Sequence, residues 1–468
     1  MSYVKNINRL IAALVVTGGL WFQQNAFGIE CPCDIYEETG TPCVAAYSTT
    51  RLLSGKYEGP LYQVKRADGQ TKDITTTEDG FADASIQDDF LGSQNGTISK
   101  LYDQSGNGNV LTVAKKGSYT GTASQNDRES NAKGRKLKIA GHNVYGLYMV
   151  PQDGYRTNQE GYSGYPADAG AAKNVPKGNA AQGIYAVVDG KRPGNHCCWD
   201  FGNASTNNDH GPTGQMNTLF FGSTPSWWGW GKGGGGGDGP WFMNDMEAGV
   251  WAGGSGASNV TTNSNPKVTW EFAFGISKTS TDGGRAKYCL RVADAVAGQP
   301  NSNIVTGWDG DAPSTWKMEG GILLGIGGDN SNSSFGTFFE GCVTAGRPSD
   351  AVDARILKNV QDAHYGSDVP VATSLDVRKA GISNSFTVGY APSTTSAIIR
   401  YSLESGCDVN MHVFNQQGRQ IAKIASGMKP AGKHESIWNT SKAAPGVYVV
   451  KTAINGTTGW TDKIIVGK

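Results

Sequence analysis

Apolar and polar residues alternate with a period of two along much of the chain, the spacing of a pleated strand whose faces meet different surroundings. Residues 268–276 place Val268, Trp270, Phe272, Phe274 and Ile276 on one face, and Tyr288, Leu290 and Val292 repeat the pattern. Tyr185-Ala-Val-Val188 runs into an Asp189-Gly190 turn, and residues 320–326 read as a buried strand. One stretch has helical spacing instead: Ile356, Leu357, Val360 and His364 recur as on a helix face, with Asp350 placed to cap its start and Gly366 to stop it. Many short strands broken by turn signals predict an all-β fold, a sandwich or jelly roll, over residues 29–366. Residues 367–381, with Pro370, Thr373 and Ser374 and no periodicity, read as a linker. Beyond it, residues 382–468 carry about seven short strand patterns and predict a small Ig-like β-sandwich. They include residues 385–390, 397–403, 410–415, 435–439, 447–453 and 463–466. This last part has no cluster of carboxylates and no aromatic platform.

The first 28 residues break the pattern. Lys5 and Arg9 precede an apolar run from Leu10 to Phe22, and Ala26-Phe27-Gly28 supplies small residues for cleavage. This is the form of a secretory signal peptide, with the mature chain expected to start near Ile29. Glu30 before Cys31 argues against a lipoprotein site. Charge narrows the function further. The 41 basic and 41 acidic side chains cancel, so no basic face is offered to nucleic acid. The 66 glycines and 12 tryptophans suit a loop-rich secreted β protein.

Export makes disulfides the default for the eight cysteines. Cys33 and Cys43 flank a short loop that a bond between them would close. Cys197 and Cys198 are neighbours in His196-Cys-Cys-Trp-Asp200. A bond between adjacent cysteines closes a small ring far from ordinary disulfide geometry, and such features cluster at functional sites. The alternative is two separate thiols or a metal site, but no second Cys/His pair has ligand spacing, and the six histidines are scattered. Cys289 and Cys342 fall on expected strands, to pair or stay free; Cys31 and Cys407 have no assigned partner.

Two stretches carry chemistry. Asp238-Gly-Pro-Trp-Phe-Met-Asn-Asp-Met-Glu247 follows Trp227, Trp228, Trp230 and a run of five glycines, Gly233 to Gly237. Its second half reads as a strand, so Met243, Asp245 and Glu247 share a face. Paired carboxylates beside tryptophans suit a sugar site, carboxylates for acid/base or nucleophilic work and indole faces for stacking; the alternative is an exposed acidic strand edge. In Leu323-Leu-Gly-Ile-Gly-Gly-Asp-Asn-Ser-Asn332, a buried strand runs into glycines and delivers Asp329. Glycines let a ligand approach the backbone closely; the alternative is an Asp-Asn turn in which Asp329 caps amides. Glu271, on the polar face of its strand, and Glu340, after Phe338-Phe339, are competing carboxylates. Asp103-Gln-Ser-Gly-Asn-Gly-Asn109 is similar to a calcium loop but lacks the closing glutamate, and reads as a tight turn.

Several of these segments resemble the catalytic domain of glycoside hydrolase family 54, the α-L-arabinofuranosidases. They are Cys33-Asp-Ile-Tyr36, Thr41-Pro-Cys-Val-Ala-Ala46, Tyr102-Asp-Gln-Ser-Gly-Asn-Gly-Asn109, Cys197-Cys198, Asp238-Gly-Pro-Trp241, Asp245-Met-Glu247 and Gly325-Ile-Gly-Gly-Asp-Asn-Ser-Asn332, in order from about residue 31 to 366. The resemblance implies a concanavalin-like β-sandwich and a retaining mechanism, with Glu247 as nucleophile and Asp329 as general acid/base. It also implies a vicinal Cys197–Cys198 disulfide lining the sugar pocket, with Trp228, Asp245 and the Gly328 backbone as further sugar contacts. A bond between Cys33 and Cys43 is expected beside it.

The chain departs from the family in four places. Ala248 stands where the family often has a sugar-contacting asparagine, and Leu91 and Gly96 stand in place of a cysteine pair. The five-glycine loop looks inserted. The β-trefoil arabinose-binding module of fungal members is missing, and residues 382–468 instead resemble the sorting domains of bacterial type IX secretion. That second likeness rests on Ile399-Arg-Tyr-Ser402, Val413-Phe-Asn-Gln-Gln-Gly-Arg419 and Gly446-Val-Tyr-Val-Val450. The expected protein is a secreted, exo-acting, monomeric α-L-arabinofuranosidase acting on plant cell-wall arabinoxylan or arabinan and needing no cofactor. It would reach the outside through the secretion machinery that reads its C-terminal domain. The alternatives are a furanosidase or xylosidase of shifted specificity and a non-catalytic carbohydrate-binding sandwich.

Overall fold

The computed structural model describes residues 30–368 except 118–124, 158–170, 207–215, 224–238, 247–248, 255–263 and 314–316, and residues 385–466 except 391–395, 404–405, 416–418 and 455–456. The expected signal peptide, most of the expected linker, the Trp227–Trp230 cluster, the five-glycine run, Glu247 and Ala248 lie outside the described residues.

The first part is all-β, two antiparallel sheets laid face to face as a concanavalin-like sandwich. One sheet runs in the order Val305–Asp311, Arg285–Asp294, Phe272–Asp282, Gln182–Asp189, Gly336–Ala345, His142–Met149, Arg135–Ile139, and Cys43–Ser48 also pairs with Gly336–Ala345. The other runs Val250–Trp251, Trp241–Asp245, Asn217–Gly222, Asp200–Ala204, Gly321–Leu324, Tyr155–Thr157, Leu111–Val113, Gly96–Leu101, Tyr62–Arg66, Thr71–Ile74.

The strand Phe272–Asp282 shows how the sequence pattern maps onto the layers. Gly275 lies under the Phe242 ring, where an added Cβ would come within 2.3 Å of it. The Ser277 hydroxyl accepts from Asn244, and Asn217 Nδ2 donates to Thr279 Oγ1 at 2.7 Å. Gly275, Ser277 and Thr279 therefore face the opposite sheet. The alternate positions face outward: Phe272 packs on Tyr365, Lys278 Nζ reaches Asp353 Oδ2 at 2.6 Å, and Phe274 lies beside Tyr185 of the neighbouring strand. The conspicuous apolar stripe is thus the covered outer face, and the face between the sheets is small and partly polar. The strand begins at Phe272, after Val268 and Trp270, and runs on to Asp282; both faces are buried as far as Thr279, where the sequence no longer alternates.

The covering helix spans Asp350–Asp362. Its cap is Ser349, in extended conformation, whose hydroxyl accepts from Val352 N–H at 3.4 Å; Asp350 is the first helical residue and pairs with Lys278 Nζ at 2.7 Å. The helix ends at Asp362 with Ala363 as its C-cap, before His364, which is exposed and has a positive φ of 57°, so neither His364 nor Gly366 belongs to its buried stripe. Two short helices, Pro32–Glu38 and Ala84–Leu91, escape the periodicity argument because they span only about two turns. The Asp103–Asn109 segment is a tight turn. Asp103 Oδ1 accepts from Ala46 and Ser105 N–H, and Oδ2 from Asn109 N–H, all at 2.9 Å.

Residues 385–466 form a separate small β-sandwich with its own apolar core, including Ile399, Val409, Met411, Val413, Trp438 and Val450. Three strands, Ser385–Tyr390, Ser396–Leu403 and Gly432–Asn439, make one sheet. Gln420–Ala425, Cys407–Asn415, Gly446–Ile454 and Thr457–Val466 make the other, with Met428–Lys429 pairing to Cys407–Asn415. Among the described residues no helix is long and apolar enough to cross a membrane.

Candidate active site

The strand Trp241–Asp245 divides its side chains by alternation. Phe242 joins the core between the sheets, and Asn244 is tied there to Asn217 and Ser277. Trp241 and Met243 point the other way and pack with Phe220, Val250, Ala252, Cys198 and Cys197. Asp245 lies on that second face. Cys198 Sγ and one carboxylate oxygen each of Asp200 and Asp245 lie within 4.8 Å of one another. Cys198 and Asp200 share a face because they are two apart where the strand Asp200–Ala204 begins. Asp200 is fully buried, and its Oδ1 accepts from Thr218 Oγ1 at 2.8 Å.

Cys197 and Cys198 are bonded to each other across a cis peptide, and Cys33 is bonded to Cys43 with Cα atoms 5.4 Å apart. Cys31, Cys289, Cys342 and Cys407 are free, buried thiols. A disulfide sulfur carries no thiolate, so Cys198 with Asp200 and Asp245 is not a metal-ligand set.

The Asp329 turn closes over the vicinal disulfide. It leaves the strand Gly321–Leu324 and folds back through Gly327 N–H to Ser331 O at 2.9 Å and Asn330 N–H to Gly327 O at 3.0 Å. The Ser331 hydroxyl lies 3.4 Å from Cys198 Sγ and 3.6 Å from Cys197 Sγ. Asp329 Oδ1 accepts from Ser331 N–H at 2.9 Å, and the side chain is half-buried, open to the outside. Gly327 is required here, because a Cβ would come within 2.4 Å of Ser331 Oγ and 3.1 Å of Cys198 Sγ. The next residue is anchored from below. Gly328 O accepts from Arg156 Nη1 at 2.8 Å and from Ser205 Oγ at 3.1 Å, while its N–H meets Met216 Sδ at 3.2 Å. A thioether is a weak acceptor, so that N–H is cheaply redirected to a hydroxyl. Arg156 is fully buried and also donates to Ser205 O.

Of the expected site residues, the described part brings together Asp245, Cys197, Cys198, Gly328 and Asp329. Glu247 and Trp228 lie outside the described residues; in the chain Glu247 falls between Met246 and Gly249, which are joined by Met246 N–H to Gly249 O at 3.0 Å. The competing carboxylates lie elsewhere. Glu340 is fully buried in the core, bidentate to Arg51 at 2.5 and 2.6 Å and accepting from Tyr365 and Tyr185 hydroxyls at 2.8 and 3.1 Å. Glu271 is half-exposed and pairs with Arg135 at 2.5 Å. Asp200, Ser331, Arg156 and Asp127 are additions from the structure. Only Asp200 had a legible signal, its two-residue spacing from Cys198.

Asp127 Oδ1 accepts from Asn332 Nδ2 at 2.5 Å and Asn330 Nδ2 at 3.0 Å. Burial pushes its carboxyl up to about 7, against the opposing effect of the two amide donors. Burial likewise pushes the neighbouring Asp153 carboxyl up to about 6.

Comparison with known proteins follows the same division of the chain. The family model for the catalytic part of α-L-arabinofuranosidase B matches residues 32–366, and that for a secretion-system C-terminal sorting domain matches residues 391–467. An α-L-arabinofuranosidase of Hypocrea jecorina is 38% identical over 399 residues, covering 84% of this chain and 73% of that protein. An arabinofuranosidase/B-xylosidase of Trichoderma koningii matches to the same extent. A solved glycoside hydrolase family 54 α-L-arabinofuranosidase, soaked with a cyclic sulfate inhibitor, is 33% identical with a TM-score of 0.64, covering 86% of this chain and 75% of its own. An arabinofuranosidase complexed with arabinofuranosyl-α-1,2-xylobiose is 34% identical at the same TM-score, covering 86% and 74%.

Proposed function

Since the chain belongs to the α-L-arabinofuranosidase B catalytic family, glycoside hydrolases that release arabinofuranose, we propose that it is a secreted, retaining enzyme. In this reading it removes terminal arabinofuranose from arabinoxylan and arabinan side chains. The observation that carries this reading is the junction at Ser331, which holds the Asp329 carboxylate and the Cys197–Cys198 disulfide together beside Asp245.

Glu247 attacks the anomeric carbon and Asp329 protonates the departing oxygen, giving an arabinosyl ester on Glu247. Water, deprotonated by Asp329, then releases the sugar with its configuration kept, a geometry that needs the two carboxyl groups about 5–5.5 Å apart. Asp245 holds sugar hydroxyls, the disulfide lines one wall, the Gly328 N–H and Trp228 contact the ring, and residues 382–468 address the chain to an export apparatus. Dual arabinofuranosidase and xylosidase activity is a second reading, favoured by the name of the Trichoderma koningii relative.

Hydrolysis of 4-nitrophenyl α-L-arabinofuranoside against the β-xylopyranoside separates these readings, and proton NMR of the first-formed sugar reports its configuration. Glu247→Gln is expected to lose nearly all activity on every substrate. Asp329→Asn is expected to lose most activity on alkyl glycosides and less on dinitrophenyl ones, with partial rescue by azide. Asp245→Asn is expected to raise KM as well as lower kcat. An inverted first product, or near-normal rates in Glu247→Gln, overturns the mechanism.

A further inference from the structure

The turn that carries Asp329 has buried polar groups on the side away from the disulfide. Asn330 and Asn332 follow Asp329 in the sequence, and both are fully buried. Asn330 also sits at a positive φ of 68°, where an ordinary side chain costs free energy unless its surroundings hold it. A buried carboxamide brings donors that must find acceptors. Both amides find the same one, Oδ1 of Asp127, at 3.0 and 2.5 Å. Asn332 is fixed further by its carbonyl, which accepts from Gln152 N–H at 2.8 Å.

Asp127 lies outside the strands, in the segment between Leu111–Val113 and Arg135–Ile139, and is itself held there. Its N–H donates to Ala114 O at 3.0 Å, just past the strand Leu111–Val113. Its carboxylate lies against Gly154, where a Cβ would come within 2.3 Å of Oδ2. Arg156 and Ser205 pin the Gly328 carbonyl, and Ser331 touches the disulfide. Those contacts fix the turn before and after Asp329 on the disulfide side. Asp127 is the acceptor that ties both asparagines on the far side.

We propose that Asp127 is a positioning residue for the acid/base step: by accepting from Asn330 and Asn332 together, it sets the angle at which the turn presents the Asp329 carboxyl to the leaving oxygen. The proposal rests on the reading of Asp329 as acid/base. Asp127 touches no sugar; its effect passes through the turn. Losing it lets Asp329 swing, and a catalytic group displaced by about 1 Å costs about 100-fold where its proton is needed.

The test compares full-length variants on two arabinofuranosides, one with a methyl leaving group that needs a proton and one with a 2,4-dinitrophenyl group that does not. Asp127→Ala is expected to lose about 100-fold in kcat/KM, which reports formation of the arabinosyl ester, on the methyl glycoside but only about threefold on the dinitrophenyl one. Asp127→Asn keeps an acceptor oxygen and regains most of that loss. Asn332→Ala, which removes one of the two bonds, reproduces the split more weakly and stands in should Asp127→Ala not fold. In an Asp329→Asn background, Asp127→Ala should add less than about twofold on the methyl glycoside, as expected when two changes remove the same contribution. If Asp329→Asn shows the leaving-group split while Asp127→Ala and Asn332→Ala slow both substrates alike, the positioning role is wrong and the acid/base reading stands. If Asp329→Asn itself slows both substrates alike, the acid/base reading fails and the positioning role falls with it.

Discussion

Glu340 and Asp329 are both acidic residues that follow apolar stretches, and their fates differ because of partners that no local pattern reveals. Arg51 is 289 residues before Glu340 and takes both of its oxygens. Removing one member of such a buried pair leaves the other charge without compensation. Glu340→Gln is therefore expected to lose about 3–5 kcal/mol in denaturant unfolding, while the folded fraction keeps its kcat on 4-nitrophenyl arabinofuranoside. A lost kcat at unchanged stability would put Glu340 in the chemistry. Asp127 gives the residue scale a pH dependence. Its carboxyl keeps its proton up to about 7 in the folded chain but gives it up near 3.8 when unfolded. The folded state thus holds the extra proton between those values, so this group's contribution to stability is lost as pH rises from about 4 to 7. Asp153, pushed up to about 6, acts in the same direction. Urea midpoints from pH 4.5 to 7.5 should fall with pH more steeply in the native chain than in Asp127→Asn; parallel curves would show that Asp127 ionises normally. The sequence stretches around Asp245, Cys197-Cys198 and Asp329 were legible because each joins an uncommon residue to a strand period or a glycine-rich turn. Asp127 and Arg156 were not, since an isolated Asp or Arg carries no local sign that it will be buried.

Element by element, strand periodicity marked buried faces and left open what covers them. The stripe Phe272, Phe274, Ile276 is real, but it is the outer face, roofed by Tyr365 and the helix Asp350–Asp362. Periodicity reports that a face is buried and is silent about what buries it. Capping had a similar limit: Ser349 and Asp350 are both good N-cap residues, and the choice is made by Lys278, which draws Asp350 into an ion pair and leaves Ser349 to take the Val352 N–H. Ser349→Ala is accordingly expected to cost about 1 kcal/mol in urea unfolding with kcat unchanged, whereas Asp350→Ala should cost less, because the carboxylate is largely exposed and Lys278 keeps Asp353 at 2.6 Å. The reverse order would return the cap to Asp350. Leu91 and Gly96 show an element-scale substitution for a covalent link. The resemblance expects a cysteine pair there, and the Leu91 side chain instead lies on Gly96, where an added Cβ would meet Leu91 Cδ2 at 2.4 Å. Apolar contact replaces the bridge.

For the whole molecule the question is where the hydrolytic part ends. The last helix stops at Asp362, which invites a boundary there. The contacts place it later. The Tyr365 hydroxyl donates to Glu340 at 2.8 Å and meets Thr50 Oγ1 at 2.9 Å, and its ring packs on Phe272 and Phe339. Gly366 N–H then donates to Lys138 O at 2.8 Å, Gly141 N–H to Ser367 O at 2.9 Å, and Lys138 Nζ reaches Asp368 at 2.7 Å. Residues 363–368 therefore close the larger core, while the residues from 396 onward bury their apolar side chains in a core of their own. A chain stopped after Asp368 is expected to fold and to keep kcat/KM on 4-nitrophenyl arabinofuranoside within about twofold, since among the described residues the Asp329 turn is held by partners that precede Asp368. A chain stopped after Asp362 loses the Tyr365 ring and both its hydrogen bonds. It should be destabilised by about 3–5 kcal/mol, a large part of what holds a domain folded, and should appear mostly as aggregate. Loss of activity in folded, monodisperse protein ending at Asp368 would show that residues 385–466 take part in hydrolysis, and a stable, active chain ending at Asp362 would show that Tyr365 does not close the core.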